Sequence, residues 1–222
     1  IQAKYPKLEM MLCSGGGGRC DYQALKYYGE FWPSDDTDPH ERLYIQYSIS
    51  KFFPSKALAA HVTNWNRHTS VKFRTDVASM CKLGFDLDLK TMKPEDYKFT
   101  QEAVANWNRL KDVILDGELY RLVSPYETHH MAVNYVSQDK TKAVLFAYDL
   151  HPRYSEPQQA VRLQGLDANR TYLVKENNLM PNTTSSLSCN EQRYTGDYLM
   201  KVGLIVLSAN EGTSRVLELT AE

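Results

Sequence analysis

The longest helical pattern in the sequence covers residues 94–116, PEDYKFTQEAVANWNRLKDVILD, and Gly117 follows it directly. Its apolar residues recur every three or four positions, which places them in one stripe along a helix. They are Phe99, Ala103, Trp107, Leu110 and Ile114. Pro94 suits the first turn of a helix, and Gly117 is predicted to end it in the left-handed conformation. Residues 94–116 therefore predict an amphipathic helix that packs against a core.

Before this helix, strand and helix patterns alternate along the chain. A short apolar run that ends in glycines predicts a buried strand, and a proline followed by spaced apolar residues predicts a helix. In chain order we predict strand 7–13, helix 39–50, strand 52–54, helix 71–80 and strand 84–89. This order is typical of βα units around a parallel sheet, which is either open or closed as a barrel.

After Pro125 the helical patterns end and β-rich runs follow. Residues 131–136 and 143–148 are predicted to form a hairpin around the turn at 137–141. Further strands are predicted at 160–163, 171–174, 198–207 and 215–219. We therefore predict two regions, an α/β region at 1–127 and an antiparallel β-sandwich at 128–222.

Composition excludes several classes of partner. The 222 residues include 26 Lys+Arg and 27 Asp+Glu, for a net charge of -1, and no basic run is present. Nucleic acids and anionic membranes require a concentrated basic surface, so neither is expected to bind. No apolar stretch approaches the roughly 20 residues that a membrane span needs. The four cysteines match no common zinc pattern, so no metal site is expected, and they leave the cellular compartment open.

A glycine run follows the first predicted strand, in the sequence Cys13-Ser-Gly-Gly16-Gly-Gly-Arg19. Glycines allow a backbone to approach a ligand closely and to expose its N–H groups. A phosphate-binding loop would also need Gly-Lys-Ser/Thr before a helix, and this chain does not have that sequence. By itself the run is more typical of a flexible turn than of a binding loop.

Residues 32–39, Trp-Pro-Ser-Asp-Asp-Thr-Asp-Pro, place three carboxylates directly before a predicted helix. Asp36 and Asp38 are suited to cap that helix. Alternatively, an aspartate at the carboxyl end of a barrel strand is positioned for catalysis, and Trp32 can stack on the apolar face of a sugar. From the residues alone, both interpretations stay open.

Three histidines are further candidates. His61 follows a predicted barrel strand, so it is either a substrate contact or a hydrogen-bonded structural residue. His129 and His130 stand at the start of the β-rich region and are predicted to be an exposed pair rather than metal ligands.

Taken together, these segments resemble glycoside hydrolase family 36, the α-galactosidases. The resemblance rests on the order and spacing of short motifs between residues 8 and 126. They are Cys-Ser-Gly-Gly-Gly-Gly-Arg-x-Asp (13–21), Trp-x-Ser-Asp-x-Thr-Asp (32–38), Glu-Arg-Leu-x-Ile-Gln-Tyr (41–47), Pro-Ser (54–55), Ala-His-Val (60–62), Gly-Phe-Asp-Leu-Asp-Leu (84–89) and Tyr-Arg-Leu-x-Ser-Pro (120–125). The resemblance implies the C-terminal part of a (β/α)8 TIM barrel, followed by an antiparallel β-sandwich domain.

The resemblance also implies roles for individual residues. Asp35 corresponds to the family's acid/base, while Cys13, Gly16 and Trp32 correspond to residues that line the galactose pocket, with Cys13 and Trp32 around the 2-hydroxyl. The family's nucleophile lies in a Lys-x-Asp segment on an earlier strand, and no such segment precedes residue 8 here. We therefore expect the chain to be a piece of a longer polypeptide.

Two positions and one loop depart from the family pattern. Pro33 stands where threonine is usual and Gln23 where glycine is frequent, and the loop at 64–68 differs from the family's version. The different loop leaves open how the aglycone is bound, but it does not change the reaction that the resemblance implies.

The implied reaction is retaining hydrolysis of terminal α-linked galactose from raffinose- or melibiose-type galactosides. It needs no cofactor, and the complete protein is expected to be a homo-oligomer. Two alternatives stay open: an α-N-acetylgalactosaminidase or galactosyl-transferring relative, and a non-catalytic carbohydrate-binding or assembly fragment.

Overall fold

The first half of the chain forms short parallel strands that alternate with helices, as the sequence predicts. This description comes from a computed structural model and covers residues 1, 3–65, 69–208 and 210–222, so part of the variant loop at 64–68 lies outside the described residues. The parallel strands are β1 (Met11–Leu12), β2 (Glu30–Phe31), β3 (Ala59–Val62) and β4 (Lys82–Phe85). Strand β1 pairs with β2 and β3 with β4, while a parallel bridge from Phe31 to Leu58 joins the two pairs. Closure of these strands into a barrel stays a prediction.

Three helices pack around the parallel strands. They are α1 (Pro39–Ile49), α2 (Val71–Ala78) and α3 (Pro94–Asp116). Helices α1 and α3 begin with proline, and the side chains of Asp38 and Ser70 cap α1 and α2 by accepting backbone N–H bonds. The three predicted helices are therefore confirmed. Single 3-10 turns occupy Gly16–Arg19, Ala24–Lys26, Ser55–Ala57 and Leu89–Thr91.

Two strand predictions in this half need correction. Residues 52–54 form a turn after α1 rather than a strand. The apolar side chain of Phe53 is buried in this turn because it packs edge-on against Phe31, at 5.0 Å between ring centroids. The strand predicted at 84–89 begins earlier, at Lys82, and ends at Phe85. Beyond it, Asp88 accepts a hydrogen bond from the Lys90 N–H and starts a 3-10 turn.

Gly117 ends α3, but not in the predicted left-handed conformation. Its φ and ψ are −77° and 169°, which is extended backbone. A β-carbon there would lie 2.3 Å from the carbonyl oxygen of Val113 and 2.7 Å from that of Val136. Glycine is needed because α3 passes directly into a strand that lies against Val136, and not because the turn requires a positive φ.

The second half of the chain is built on one six-stranded antiparallel sheet. Its strands are β5 (Glu118–Val123), β6 (His130–Val136), β7 (Lys142–Asp149), β8 (Thr171–Asn177), β9 (Gln192–Thr195) and β10 (Thr213–Ala221), in the order β5-β6-β7-β10-β8-β9. Strand β5 lies within the range predicted for the α/β region, yet it pairs with β6. The sheet thus begins at Glu118, and the division at 127/128 stays a prediction.

The central strands of this sheet are buried on both faces, because their side chains alternate between two cores. One face, which includes Tyr135, Phe146 and Tyr148, joins the core formed by the α/β region. The other face, which includes Leu145 and Ala147, packs with a second group of apolar residues. That group includes Val161, Leu163, Leu199, Leu204 and Val206. The antiparallel sheet agrees with the predicted sandwich, while the second layer of that sandwich stays a prediction.

The segment that packs on the second face of the sheet contains a helix where a strand is predicted. Residues 198–207 do not form a strand: α4 (Gly196–Lys201) extends into them, capped by the Thr195 hydroxyl, which accepts a bond from the Tyr198 N–H. The predicted strand at 160–163 is reduced to a single bridge between Val161 and Leu204. The apolar residues of this segment are there because they pack on the sheet, and not because they form a strand.

Polar contacts fasten the two halves together. Asp76 of α2 is fully buried and accepts hydrogen bonds from Asn178 at 2.7 Å and Ser214 at 2.6 Å, both from the sheet half. The hydroxyl of Tyr148 donates to the Asp76 carbonyl, and that of Tyr135 to the Met80 carbonyl. None of the helices in the described ranges is both long and apolar enough to cross a membrane.

Candidate active site

The two motifs that flank the candidate site leave neighbouring strands at the same edge. Leu12 of β1 pairs with Phe31 of β2 in parallel, so that Cys13 and Trp32 each follow the carboxyl end of a strand. The Trp32 N–H donates to the Leu12 carbonyl at 3.0 Å and extends this pairing by one bond. The glycine run and the carboxylate cluster are therefore brought together by the fold. The carboxyl edge of parallel strands is where α/β proteins place their functional groups.

The glycine run is a tightly packed turn. Gly15 and Gly16 have φ of 63° and 72°, which favours glycine. Gly16 is buried, and a β-carbon on it would lie 3.1 Å from the Ser34 Cα and 3.2 Å from the Asp35 nitrogen. A β-carbon on Gly17 would lie 2.4 Å from the Pro33 carbonyl oxygen. The turn therefore rests directly on the backbone that carries Asp35.

The three carboxylates of the cluster have different partners. The Asp38 side chain accepts from the N–H groups of His40 and Glu41, so the predicted helix cap is confirmed for Asp38. Asp36 accepts from the Asp38 N–H at 2.8 Å. Asp35 is exposed, and its Oδ1 accepts from the indole Nε1–H of Trp32 at 3.1 Å. Asp35 thus differs from Asp36 and Asp38 because its carboxylate accepts from a side chain rather than from a backbone N–H.

Trp32 packs against a guanidinium and an imidazole. The Arg42 Cζ is 4.4 Å from the centroid of the indole ring, and the His61 ring centroid is 4.6 Å away at an interplanar angle of 44°. Arg42 also donates from Nη2 to the Ser34 carbonyl at 2.9 Å. The indole that binds Asp35 is therefore held by two neighbouring side chains.

His61 contacts the site through Trp32. Burial lowers the pKa of His61, and the charge of Asp86 opposes this shift. Gly84 makes room for the ring, since a β-carbon there would lie 2.5 Å from the His61 Cδ2. Arg42 and Gly84 are site residues that the sequence patterns do not single out, although both lie within motifs that carry the family resemblance.

Cys13 is exposed at the start of the glycine run, and all four cysteines are free thiols. The prediction of an exposed His129–His130 pair is wrong, because both side chains are half-buried and hydrogen bonded. His130 Nδ1 lies 2.8 Å from Asp149 Oδ1, and His129 Nδ1 lies 3.2 Å from Glu156 Oε2. Across the described ranges, no group of three or more His, Cys, Asp or Glu side chains is arranged to hold a metal ion.

Known families match both halves of the chain. A family model described as Melibiase matches residues 1–117, and one described as the glycosyl hydrolase family 36 C-terminal domain matches residues 130–219. Alpha-galactosidase 2 of Hypocrea jecorina is 33% identical over 208 residues, which is 91% of this chain and 28% of that protein.

Solved structures of family 36 align with the whole chain. The α-galactosidase AgaB from Geobacillus stearothermophilus gives a TM-score of 0.89 at 30% identity, over 100% of this chain and 30% of that one. A variant of AgaA from the same organism, solved in complex with raffinose, gives a TM-score of 0.89 at 29% identity, with the same coverage of each chain. The chain therefore spans less than a third of the length of these relatives.

Proposed function

The chain belongs to glycoside hydrolase family 36, and we propose that it is the C-terminal part of a retaining α-galactosidase that supplies the acid/base, Asp35. One observation supports this most strongly: an exposed carboxylate, bound by an indole N–H, lies on the backbone beneath a glycine turn at the carboxyl edge of two parallel strands. We further propose that β1–β4 complete a (β/α)8 barrel together with strands from outside these residues.

The proposed mechanism is a double displacement. In the first step, a carboxylate outside this chain attacks the anomeric carbon, the glycosidic bond breaks, and Asp35 gives its proton to the departing oxygen. In the second step, Asp35 takes a proton from water, whose oxygen attacks the anomeric carbon and releases the nucleophile. Retaining glycosidases hold their two carboxyl groups about 5–5.5 Å apart. No metal or organic cofactor takes part in either step.

Galactose recognition is assigned to the residues around Asp35. We propose that Trp32, Cys13 and Gly16, which the pairing of β1 with β2 brings to one edge, line the galactose pocket. We propose that Trp32 and Cys13 crowd the 2-position of the sugar and exclude an acetamido group. Raffinose-type galactosides are the proposed substrates, and the complex of the AgaA variant with raffinose supports this choice.

The test uses the complete enzyme. We expect it to hydrolyse an aryl α-galactoside and raffinose, with α-galactose as the first product in an NMR time course. The N-acetylgalactosaminide counterpart should be cleaved far more slowly. A β-configured first product would contradict double displacement, and equal kcat/KM for both aryl substrates would contradict the assigned pocket. Light scattering on the same sample tests the homo-oligomer that the resemblance implies.

A further inference from the structure

Arg42 is a charged side chain buried beneath the candidate site. Its residue exposure is 2%, although it lies in the first half of α1, one turn after the Asp38 cap. Burial lowers the pKa of Arg42, while the carboxylates of Asp36 and Asp35 act in the opposite direction. A guanidinium stays protonated in proteins, so the charge is buried as such. An arginine that is only a surface residue of a helix would not carry this desolvation cost.

The guanidinium of Arg42 reaches Asp35 by two routes. Its Nη2 donates to the carbonyl of Ser34, the residue directly before Asp35, at 2.9 Å. Its Cζ lies 4.4 Å from the centroid of the Trp32 ring, and the Nε1–H of Trp32 donates to Asp35 Oδ1 at 3.1 Å. One route therefore fixes the backbone of Asp35, and the other fixes its side chain.

We infer that Arg42 is a positioning residue for the acid/base, acting through Ser34 and Trp32 without touching the substrate. This inference rests on the proposed function. Because Trp32 occupies Oδ1 as an acceptor, Oδ2 is the oxygen of Asp35 that carries the transferred proton. Arg42 holds the plane of the carboxyl group so that Oδ2 faces the glycosidic oxygen.

The chemistry of arginine explains why this residue type stands there. Its planar guanidinium can stack on an indole while an edge N–H binds a carbonyl. Lysine would keep the charge and one hydrogen bond but would lose the planar stack. Glutamine would lose the charge and the stack. The two substitutions should therefore weaken the positioning of Asp35 by different amounts.

The experiment compares two substrates in the complete enzyme. General acid catalysis matters most for a poor leaving group, so raffinose depends on Asp35 more than an activated aryl α-galactoside does. We expect Arg42→Gln to lower kcat/KM for raffinose about tenfold more than for the aryl substrate, mainly through kcat, with Arg42→Lys between Arg42→Gln and wild type. Uniform loss of folded enzyme would leave this ratio unchanged.

Arg121→Gln is the matched control. Like Arg42, Arg121 donates to a backbone carbonyl, but that carbonyl belongs to Ser50, at the opposite end of α1 from Asp38. Its replacement should change both substrates by the same factor. Equal losses for both substrates in Arg42→Gln and Arg42→Lys would overturn the inference.

Two further variants separate the possible failures. Trp32→Phe keeps a ring over Arg42 but removes the donor to Asp35, and it should shift the substrate ratio in the same direction. If the Arg42 variants do not fold, an unshifted ratio in Trp32→Phe overturns the inference. Asp35→Ala should shift the ratio most. A complete enzyme without activity, or an unshifted ratio in Asp35→Ala, would instead defeat the proposed function itself.

Discussion

The α/β region and the antiparallel sheet differ in the length of their strands and in the segments that come after each strand. Strands β1 and β2 contain 2 residues each, and the glycine turn and Trp32 follow them at once. Strands β7 and β10 contain 8 and 9 residues, and nearly every side chain on β7 is buried. Short strands leave the backbone free to turn at a common edge, so groups for chemistry collect there. Long paired strands instead provide a wall on which the helices pack.

The two regions are nevertheless energetically linked. The sheet contributes Tyr135, Phe146 and Tyr148 to the same core as Leu43 of α1 and Phe73 of α2. Removing the sheet would expose this apolar surface to water, at a free-energy cost of roughly 25 cal/mol for each Å² exposed. The proposed chemistry thus belongs to the α/β region, and much of the packing that supports it comes from the sheet.

The largest expected effect concerns activity of the 222 residues by themselves. We predict that the isolated chain does not hydrolyse an aryl α-galactoside, because the proposed nucleophile belongs to a part of the complete enzyme outside these 222 residues. The assay uses chain that shows cooperative unfolding, beside the complete enzyme as positive control. Turnover near that of the complete enzyme would mean that the nucleophile lies within this chain.

The next effect tests the junction between the regions. Asp76→Ala removes a buried carboxylate and leaves Lys72, Asn178 and Ser214 without their partner. Loss of one member of a buried charge pair costs about 3 kcal/mol or more. We expect a drop of several degrees in the melting temperature of the complete enzyme.

Asp116→Ala is the control for that junction. Its salt bridge with Lys56 spans 2.8 Å, but both side chains are more than half exposed. Such pairs contribute roughly 0–1 kcal/mol, so the melting temperature should hardly change. Equal shifts in Asp76→Ala and Asp116→Ala would show that the junction does not depend on the buried carboxylate.

A smaller effect is expected for sugar affinity. Trp32→Ala removes the aromatic face beside Asp35, and we expect galactose to bind more weakly by about 1 kcal/mol or more. Competitive inhibition by galactose in the complete enzyme measures this change. Tyr198 is an exposed tyrosine on α4, so Tyr198→Ala is the control and should leave the inhibition constant unchanged. An unchanged constant in Trp32→Ala would remove Trp32 from the pocket.

The smallest effect on chemistry is expected in the sheet region. Replacing His129 and His130 by alanine should leave kcat within a few fold, because their partners Glu156 and Asp149 belong to the sheet half. Stability should fall, since Asp149 is buried and loses the hydrogen bond from His130. A large loss of kcat in a folded double variant would place part of the active site in the sheet region.

Local signals in the sequence predict the helices but not every strand. Proline at the first turn and the cap at Asp38 fix where α1 begins, because capping depends on residues close in sequence. The sequence predicts a strand at 198–207 because the apolar residues there suit either structure, and only the Thr195 cap and packing on the sheet select a helix. The conformation of Gly117 depends on Val136, which lies far away in sequence.

The candidate site shows the same division. Its motifs are visible in the sequence, and the parallel pairing of β1 with β2 brings Cys13, Gly16, Trp32 and Asp35 to one edge. The burial of Arg42 beneath Trp32 is not visible, because an arginine in the first turns of an amphipathic helix usually faces solvent. Its position follows from tertiary packing alone.

The assignment of the acid/base to Asp35 is tested most directly by chemical rescue in the complete enzyme. Asp35→Ala should nearly abolish cleavage of raffinose but spare the first step with an activated aryl α-galactoside, because a good leaving group needs little protonation. Azide needs no deprotonation, so it should restore turnover and yield the α-configured galactosyl azide. Asp36→Ala and Asp38→Ala should lose stability without this response. Rescue at Asp36 or Asp38, or no rescue in folded Asp35→Ala, would contradict the assignment.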